Sequence, residues 1–156
     1  MLDVEISMTI IFRTYNEEDY EATTELMRQL SETYKVEFDE EKWKQASRLR
    51  YFSPDSRGQT IIAEEDNEVI GMGFISAKLE STGLYVGYLN DFTIRKDCAR
   101  RGIGKDMAFK AIEILESWKV NRIRINILME VKDYMLSIVE KIGFQPTYVV
   151  AEKIYQ

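Results

Sequence analysis

The 156-residue sequence has no histidine, one cysteine and two prolines. Without histidine the chain cannot form a Ser-His-Asp triad, a Cys-His dyad or a metal site built on imidazole. Cys98 alone cannot form an intrachain disulfide or a zinc ribbon, and we predict no metal site. Catalysis near neutral pH must therefore use carboxylates, tyrosines, lysines, backbone amides or water.

Long apolar runs are also missing. No segment approaches the roughly 20 residues of a membrane span, and the N-terminus lacks the basic region and apolar core of a signal peptide. We therefore expect a cytoplasmic protein without a membrane partner. The net charge of −6 argues against a nucleic-acid partner, because phosphate binding depends on Lys and Arg. Translation is expected to start at Met1 or Met8, since the first strand pattern follows Met8.

The composition, 45% apolar and 31% charged, is typical of a soluble globular chain, and we predict one domain over residues 1–156. Charge is unevenly distributed: residues 16–41 hold ten acidic and two basic residues, whereas residues 95–110 hold six basic and two acidic residues. Two interpretations stay open. These segments are either solvated helix faces, or an anion site and a surface that tolerates cations.

Apolar periodicity predicts the element order β-α-α-β-β-β-α-β-α-β, a mixed α/β sheet. The predicted strands cover residues 9–14, 59–64, 68–79, 84–94, 122–128 and 147–155. The predicted helices cover residues 16–34, 39–51, 102–119 and 131–142. A loop is expected over residues 53–58, a hairpin turn at Asp66-Asn67 and a helix end at Gly143.

Gly102 and Gly104 stand where a basic loop meets the start of a predicted helix. A helix N-terminus has unpaired N–H groups and a positive dipole end, and glycine allows a ligand to approach the backbone. Positive charge comes from three neighbours, Arg100, Arg101 and Lys105. The segment predicts a pyrophosphate site, with a tight turn and helix-packing glycines as the alternative. It is not a G-x-G-x-x-G fingerprint, because position 107 is methionine.

Three blocks in this order resemble the GCN5-related N-acetyltransferase (GNAT) family. Leu89-Asn90-Asp91-Phe92-Thr93-Ile94 is similar to that family's fourth strand. Arg100-Arg101-Gly102-Ile103-Gly104 is similar to its acyl-CoA pyrophosphate loop, usually [RQ]-x-x-G-x-[GA]. Val139-Glu140-Lys141-Ile142-Gly143-Phe144 is similar to the end of its penultimate helix, usually Y-E-K-x-G-F. The resemblance covers nearly the whole chain.

The resemblance implies an α/β fold with a mixed, mostly antiparallel central sheet flanked by helices, and strands splayed at the cofactor cleft. It implies acetyl transfer from acetyl-CoA to a primary amine, either of a small cationic molecule or of a protein N-terminus or lysine. The alternative is an acyl-CoA-binding sensor of the same fold with little or no turnover. A homodimer is left open.

The resemblance also implies the cofactor contacts. Phe92, Thr93 and Ile94 would contact the pantetheine arm. The pyrophosphate would be held by backbone amides and charges of the loop and helix start, at Arg100, Arg101, Gly102, Ile103, Gly104 and Lys105. Asn126, at the end of the next strand, would line the same gap or be a satisfied edge amide.

The proton-handling residues depart from the family pattern. Val139 aligns with the tyrosine that often protonates the leaving thiolate, Ala99 replaces the first letter of the phosphate motif, and the strand glutamate is missing. Catalytic candidates near that glutamate are Asn90 and Asp91, with Asp91 the first candidate for general base. Its alternative role is an ion pair with Arg95 or Arg124. Tyr134 is the candidate acid, although it lies about 140° from Val139 around the helix.

Overall fold

The computed structural model describes residues 9–49 and 56–155. The chain divides into two compact units, Met1–Ile125 and Asn126–Gln156. The prediction of one domain over the whole chain stays a prediction. Among the described residues, no helix combines the length and apolar character needed to cross a membrane.

The first unit contains a five-stranded sheet. Its strands, in chain order, are β1 (Ile11–Thr14), β2 (Ser56–Glu65), β3 (Glu68–Leu79), β4 (Tyr85–Ile94) and β5 (Arg122–Ile125). Neighbours in the sheet follow the same order, and every pair is antiparallel except β4 with β5, which is parallel. This confirms the predicted mixed, mostly antiparallel sheet.

The first unit also contains three helices: α1 (Tyr20–Tyr34), α2 (Glu40–Leu49) and α3 (Ile103–Ser117). On one face of the sheet, Leu26 of α1 packs with Ile62 and Met72. On the other face, a Cβ atom placed at Gly87 would lie 3.0 Å from the Leu115 side chain of α3. Both faces of the central strands are therefore covered, which explains their largely apolar sequences.

The entry to α1 is held by charge as well as by capping. Asn16 and Asp19 form a reciprocal capping box around a short 3₁₀ turn, Glu17–Asp19. Arg13 of β1 makes two 2.8 Å hydrogen bonds to the Asp19 carboxylate. These bonds lower the pKa of Asp19, whose side chain is only 5% exposed. The acidic segment thus includes an acid with a structural role.

Several boundaries differ from the predicted ones. The hairpin turn is confirmed, with Asp66 and Asn67 at φ +51° and +64°. β2 already begins at Ser56, so the loop expected there is wrong for residues 56–58, while residues 53–55 lie outside the described ones. β5 ends at Ile125 instead of residue 128. Strand length depends on the partner strand, which local sequence does not reveal.

The second unit contains α4 (Lys132–Val139) between two 3₁₀ turns, Met129–Val131 and Glu140–Ile142. Gly143 ends this helical segment at φ +98°, as predicted. The strand predicted over residues 147–155 is wrong, since the described residues after Gly143 contain neither helix nor strand. Its large apolar side chains are exposed, from Val150 at 68% to Val149 at 90%.

Candidate active site

A β-bulge interrupts β4 in the middle of the segment that resembles the family's fourth strand. The pairing register shifts between Met72 and Phe74, so that two β4 residues, Asp91 and Phe92, stand opposite Gly73 alone. Asp91 has a φ of +54°, a conformation that aspartate tolerates better than most residues. The candidate base therefore lies at the irregular point of the strand.

The bulge changes which face of the sheet each β4 side chain occupies. Before it, Gly87 faces α3, and alternation places Tyr88 and Asn90 on the α1 face. After it, Ile94 faces α3, with Cγ1 3.7 Å from a Cβ atom placed at Gly104. Thr93 faces α1. The predicted pantetheine contacts Phe92, Thr93 and Ile94 thus do not share one face.

Two glycines of β3 make room for the α3-facing side chains of β4. A Cβ atom at Gly73 would lie 2.7 Å from the Phe92 ring, and one at Gly71 would lie 2.6 Å from Cδ1 of Ile94. Real Cβ atoms do not approach other atoms this closely. The glycines therefore let the Phe92 ring and the Ile94 side chain lie directly on the β3 backbone.

Near the same bulge, β4 and β5 part. Their parallel ladder runs from Val86–Arg122 to Leu89–Ile125, whereas β4 continues to Ile94. This is the arrangement expected for strands splayed at a cleft. Asn126 directly follows β5 and is exposed, outside the strand in which it was predicted to lie.

A polar cluster joins β4 and β5 to Glu80, the residue that follows β3, one rung before this ladder ends. The Tyr88 hydroxyl donates to Glu80 at 2.6 Å, and Arg124 donates to the same carboxylate oxygen at 2.7 Å. The hydrogen bond to Glu80 raises the pKa of Tyr88. The same hydrogen bond, together with the positive charge of Arg124, lowers the pKa of Glu80. The cluster ties the strands together just before they separate.

The glycine segment in which the sequence predicts an anion loop lies at the start of α3, and anion binding there stays a prediction. Gly102 is the N-cap residue at φ +79°, and no side chain caps the helix. Gly104 lies in the first turn, where an added Cβ would make only an ordinary contact. The two glycines therefore differ: Gly102 supplies a left-handed conformation, and Gly104 leaves the helix surface open. Ile103, at 2% exposed, anchors the turn in the core.

The three basic residues near this turn differ in whether they form an ion pair. Arg101 is held by Glu65 through two hydrogen bonds of 2.9 and 2.5 Å, which raise the pKa of Arg101 and lower that of Glu65. Arg100 and Lys105 are exposed, and neither forms an ion pair with any described residue. An uncapped helix N-terminus beside these two cations has the chemistry that a pyrophosphate group requires.

Tyr34, the last residue of α1, was not anticipated. Partial burial raises its pKa, and the negative charge of Asp91 raises it further. Arg95 pairs with Glu68 and Asp97, and Arg124 pairs with Glu80. An ion pair of Asp91 with either arginine stays a prediction. No local signal connects Tyr34 to Asp91, because they lie far apart in sequence.

Gln29, on α1, was also missed. It hydrogen-bonds to the Ile94 carbonyl at the end of β4 and to the Lys96 backbone N–H near the start of the basic loop, residues 95–101. It also lines a cleft of about 400 Å³ beside Arg95 and Lys96. None of the predicted site residues lines that cleft.

The candidate acid, Tyr134, and the residue at the usual tyrosine position, Val139, both lie on α4 of the second unit. Tyr134 is 69% exposed on α4, whereas Val139, at the usual tyrosine position, is buried. Across the described residues, no group of three or more Cys, Asp or Glu side chains is arranged to bind a metal ion.

The comparisons with known proteins agree with this geometry. The model of the Acetyltransferase (GNAT) family matches residues 20–144, and the chain therefore belongs to that family. No curated protein sequence matches it.

Solved structures of low sequence identity share the fold. A transcriptional regulator from Bacillus halodurans C-125 has 16% identity and a TM-score of 0.77, covering 94% of this chain and 100% of its own. An aminoglycoside N-acetyltransferase in complex with CoA has 15% identity and a TM-score of 0.78, covering 98% and 99%. Glucosamine-6-phosphate N-acetyltransferase from Arabidopsis thaliana has 16% identity and a TM-score of 0.72, covering 95% and 99%.

Proposed function

We propose that this chain transfers an acetyl group from acetyl-CoA to a primary amine by direct attack of the amine. Two features together support the proposal. β4 contains a bulge and extends beyond the end of its parallel pairing with β5, and the N-terminus of α3 beside it is uncapped and surrounded by positive charge. The overall reaction joins the acceptor nitrogen to the acetyl carbon and releases CoA as its thiol. Acetyl-CoA supplies the activated acetyl group.

The α3 start is proposed to hold the pyrophosphate of CoA. Backbone N–H groups near Gly102 and Gly104 would donate to phosphate oxygens, and Arg100 and Lys105 would add positive charge. The side chain of Arg101 acts indirectly, because its bidentate bond to Glu65 fixes the loop to β2. Phe92 and Ile94 would offer backbone groups to the pantetheine arm.

Asp91 is proposed as the general base, acting directly or through water on the acceptor ammonium. Its position at the bulge of β4, beyond the end of the parallel ladder with β5, supports this role, and a carboxylate there would favour a cationic acceptor. The acidic character of α1 supports the same substrate class, although Glu25 and Glu32 already pair with Arg28 and Lys96. The acceptor would be a small cationic amine, a protein N-terminus or a lysine.

The test of the base is Asp91→Asn, because asparagine also tolerates a positive φ and should preserve the bulge. At low pH the acceptor is protonated and needs a base, so turnover should fall about 100-fold. Near pH 10 the free amine no longer needs one, and the variant should approach wild-type rates. Rates measured from pH 6 to 10 with equal unfolding free energies check this. A wild-type to variant ratio that is flat across pH rejects Asp91.

A second candidate function is acyl-CoA binding without efficient turnover, as in a sensor. It is favoured by Val139, an apolar residue at the position where the family often has the tyrosine that protonates the leaving thiolate. Calorimetry with acetyl-CoA and a thiol-release assay with a panel of amines separate the two functions. Binding together with thiol release supports the transferase, and binding without release on any amine supports the sensor. Absence of CoA binding contradicts both.

A further inference from the structure

We infer that Gln29 is a positioning residue, which holds the end of β4 and the start of the basic loop in the relative geometry that CoA binding requires. This inference rests on the proposed function. Gln29 lies on α1, 64 to 67 residues away in sequence from the groups that it contacts.

The side-chain amide of Gln29 makes three hydrogen bonds. Its Nε2 donates to Thr93 Oγ1 at 3.0 Å and to the Ile94 carbonyl at 2.8 Å. Its Oε1 accepts from the Lys96 backbone N–H at 3.1 Å. The partners determine the amide orientation, because the Ile94 carbonyl can only accept and the Lys96 N–H can only donate. A glutamine is therefore required here: a carboxylate cannot donate, and an ammonium cannot accept.

These contacts lie at the junction between the two halves of the proposed cofactor site. Ile94 is the last residue of β4, and Lys96 begins the turn that leads to Gly102. The antiparallel ladder with β3 supports the junction on one side, since the Arg95 N–H donates to the Ile70 carbonyl at 2.7 Å. Gln29 supports it from α1. A shift of about 1 Å in either half would misplace the bound ligand relative to the other half.

The test uses Gln29→Met, which keeps the length of the side chain and removes all three hydrogen bonds. Gln45→Met is the matched control, because Gln45 is an exposed glutamine on α2. The dissociation constant for CoA, measured by calorimetry, should rise about tenfold in Gln29→Met and stay unchanged in the control. Backbone hydrogen exchange of the CoA-free protein should accelerate at Lys96, while the core of the sheet keeps its protection.

A second variant, Gln29→Glu, separates the loop contact from the strand contacts. Its carboxylate can still accept from the Lys96 N–H but cannot donate to Ile94. Protection of the Lys96 amide should therefore be retained, while CoA affinity falls. Loss of this protection in Gln29→Glu would contradict the assigned geometry.

The remaining outcomes are distinguishable. Wild-type protein that fails to bind CoA overturns the proposed function and this role with it. Wild-type binding with an unchanged dissociation constant in Gln29→Met overturns the role alone. Faster exchange throughout α1 and the sheet in Gln29→Met would mean that the residue only stabilises the fold, which also overturns it.

Discussion

Replacing Gly73 with alanine should destabilise the sheet, although the same change in an open strand would stabilise it. Removing glycine from a strand interior is favourable by about 0.5–1 kcal/mol. At Gly73 the new methyl group would lie 2.7–2.8 Å from three atoms of the Phe92 ring. Overpacking of this kind costs about 1–3 kcal/mol. Because Phe92 is only half-buried, its ring can swing outward, and we expect a net loss of about 1 kcal/mol.

Urea unfolding followed by circular dichroism measures this change. With a slope of about 2 kcal/mol/M, the midpoint should fall by about 0.5 M. Gly104→Ala is the control, because the added Cβ makes only an ordinary 3.7 Å contact with Ile94 in a helix. That variant should gain about 0.5–1 kcal/mol.

A double-mutant cycle with Phe92→Leu attributes the effect to the ring. Leucine leaves part of the space above Gly73 open, so Gly73→Ala should cost less in that background, with a coupling free energy of about 1 kcal/mol. If Gly73→Ala raises the midpoint, or if its cost is the same with and without the Phe92 ring, the account of the bulge packing is wrong.

Two further predictions concern the loop glycines and the α1 entry. Gly104→Val should weaken CoA binding at least tenfold with little loss of stability, as measured by calorimetry and urea unfolding, and a collapse of the fold in this variant would make Gly104 a structural residue. Gly102→Ala should cost about 1 kcal/mol of unfolding free energy in the same assays, because Gly102 has a φ of +79°. Asp19→Asn should lose about 2–3 kcal/mol at pH 7 by breaking the Arg13 pair. Since the folded pKa of Asp19 is lowered, this stabilisation is present above the unfolded pKa of about 4 and is lost as pH falls further, so the wild-type advantage should shrink as pH is lowered below about 4. A constant advantage would exclude the ion pair as its source.

Much of the architecture was predictable because it depends on local patterns. Apolar periodicity predicted the five strands of the sheet and all four helices, and Asp66-Asn67 predicted its hairpin. The basic Gly-x-Gly segment predicted the start of α3 at Gly102. The strand expected over residues 147–155 was wrong, because a β pattern shows that a segment can pair and not that a partner strand is available.

The site was less predictable because its residues meet only across the sheet. The charge pattern did not show that Arg101 is bound to Glu65, which leaves Arg100 and Lys105 as the unpaired cations of the described loop. Nor did it indicate Tyr34 or Gln29. The hydrogen bonds of Gln29 and the effect of the Asp91 charge on Tyr34 join residues far apart in the chain, and they depend on where α1 crosses β4.

The absence of histidine and the order of the motifs, read from sequence alone, determined the class of chemistry, since they exclude imidazole mechanisms and predict a binding turn for pyrophosphate. Tertiary structure decided the geometry of β4. Gly73 faces two residues instead of one, which turns Asp91 into a positive φ and reverses the side-chain alternation after it. A bulge is a property of two paired strands, so neither strand's sequence could specify it alone.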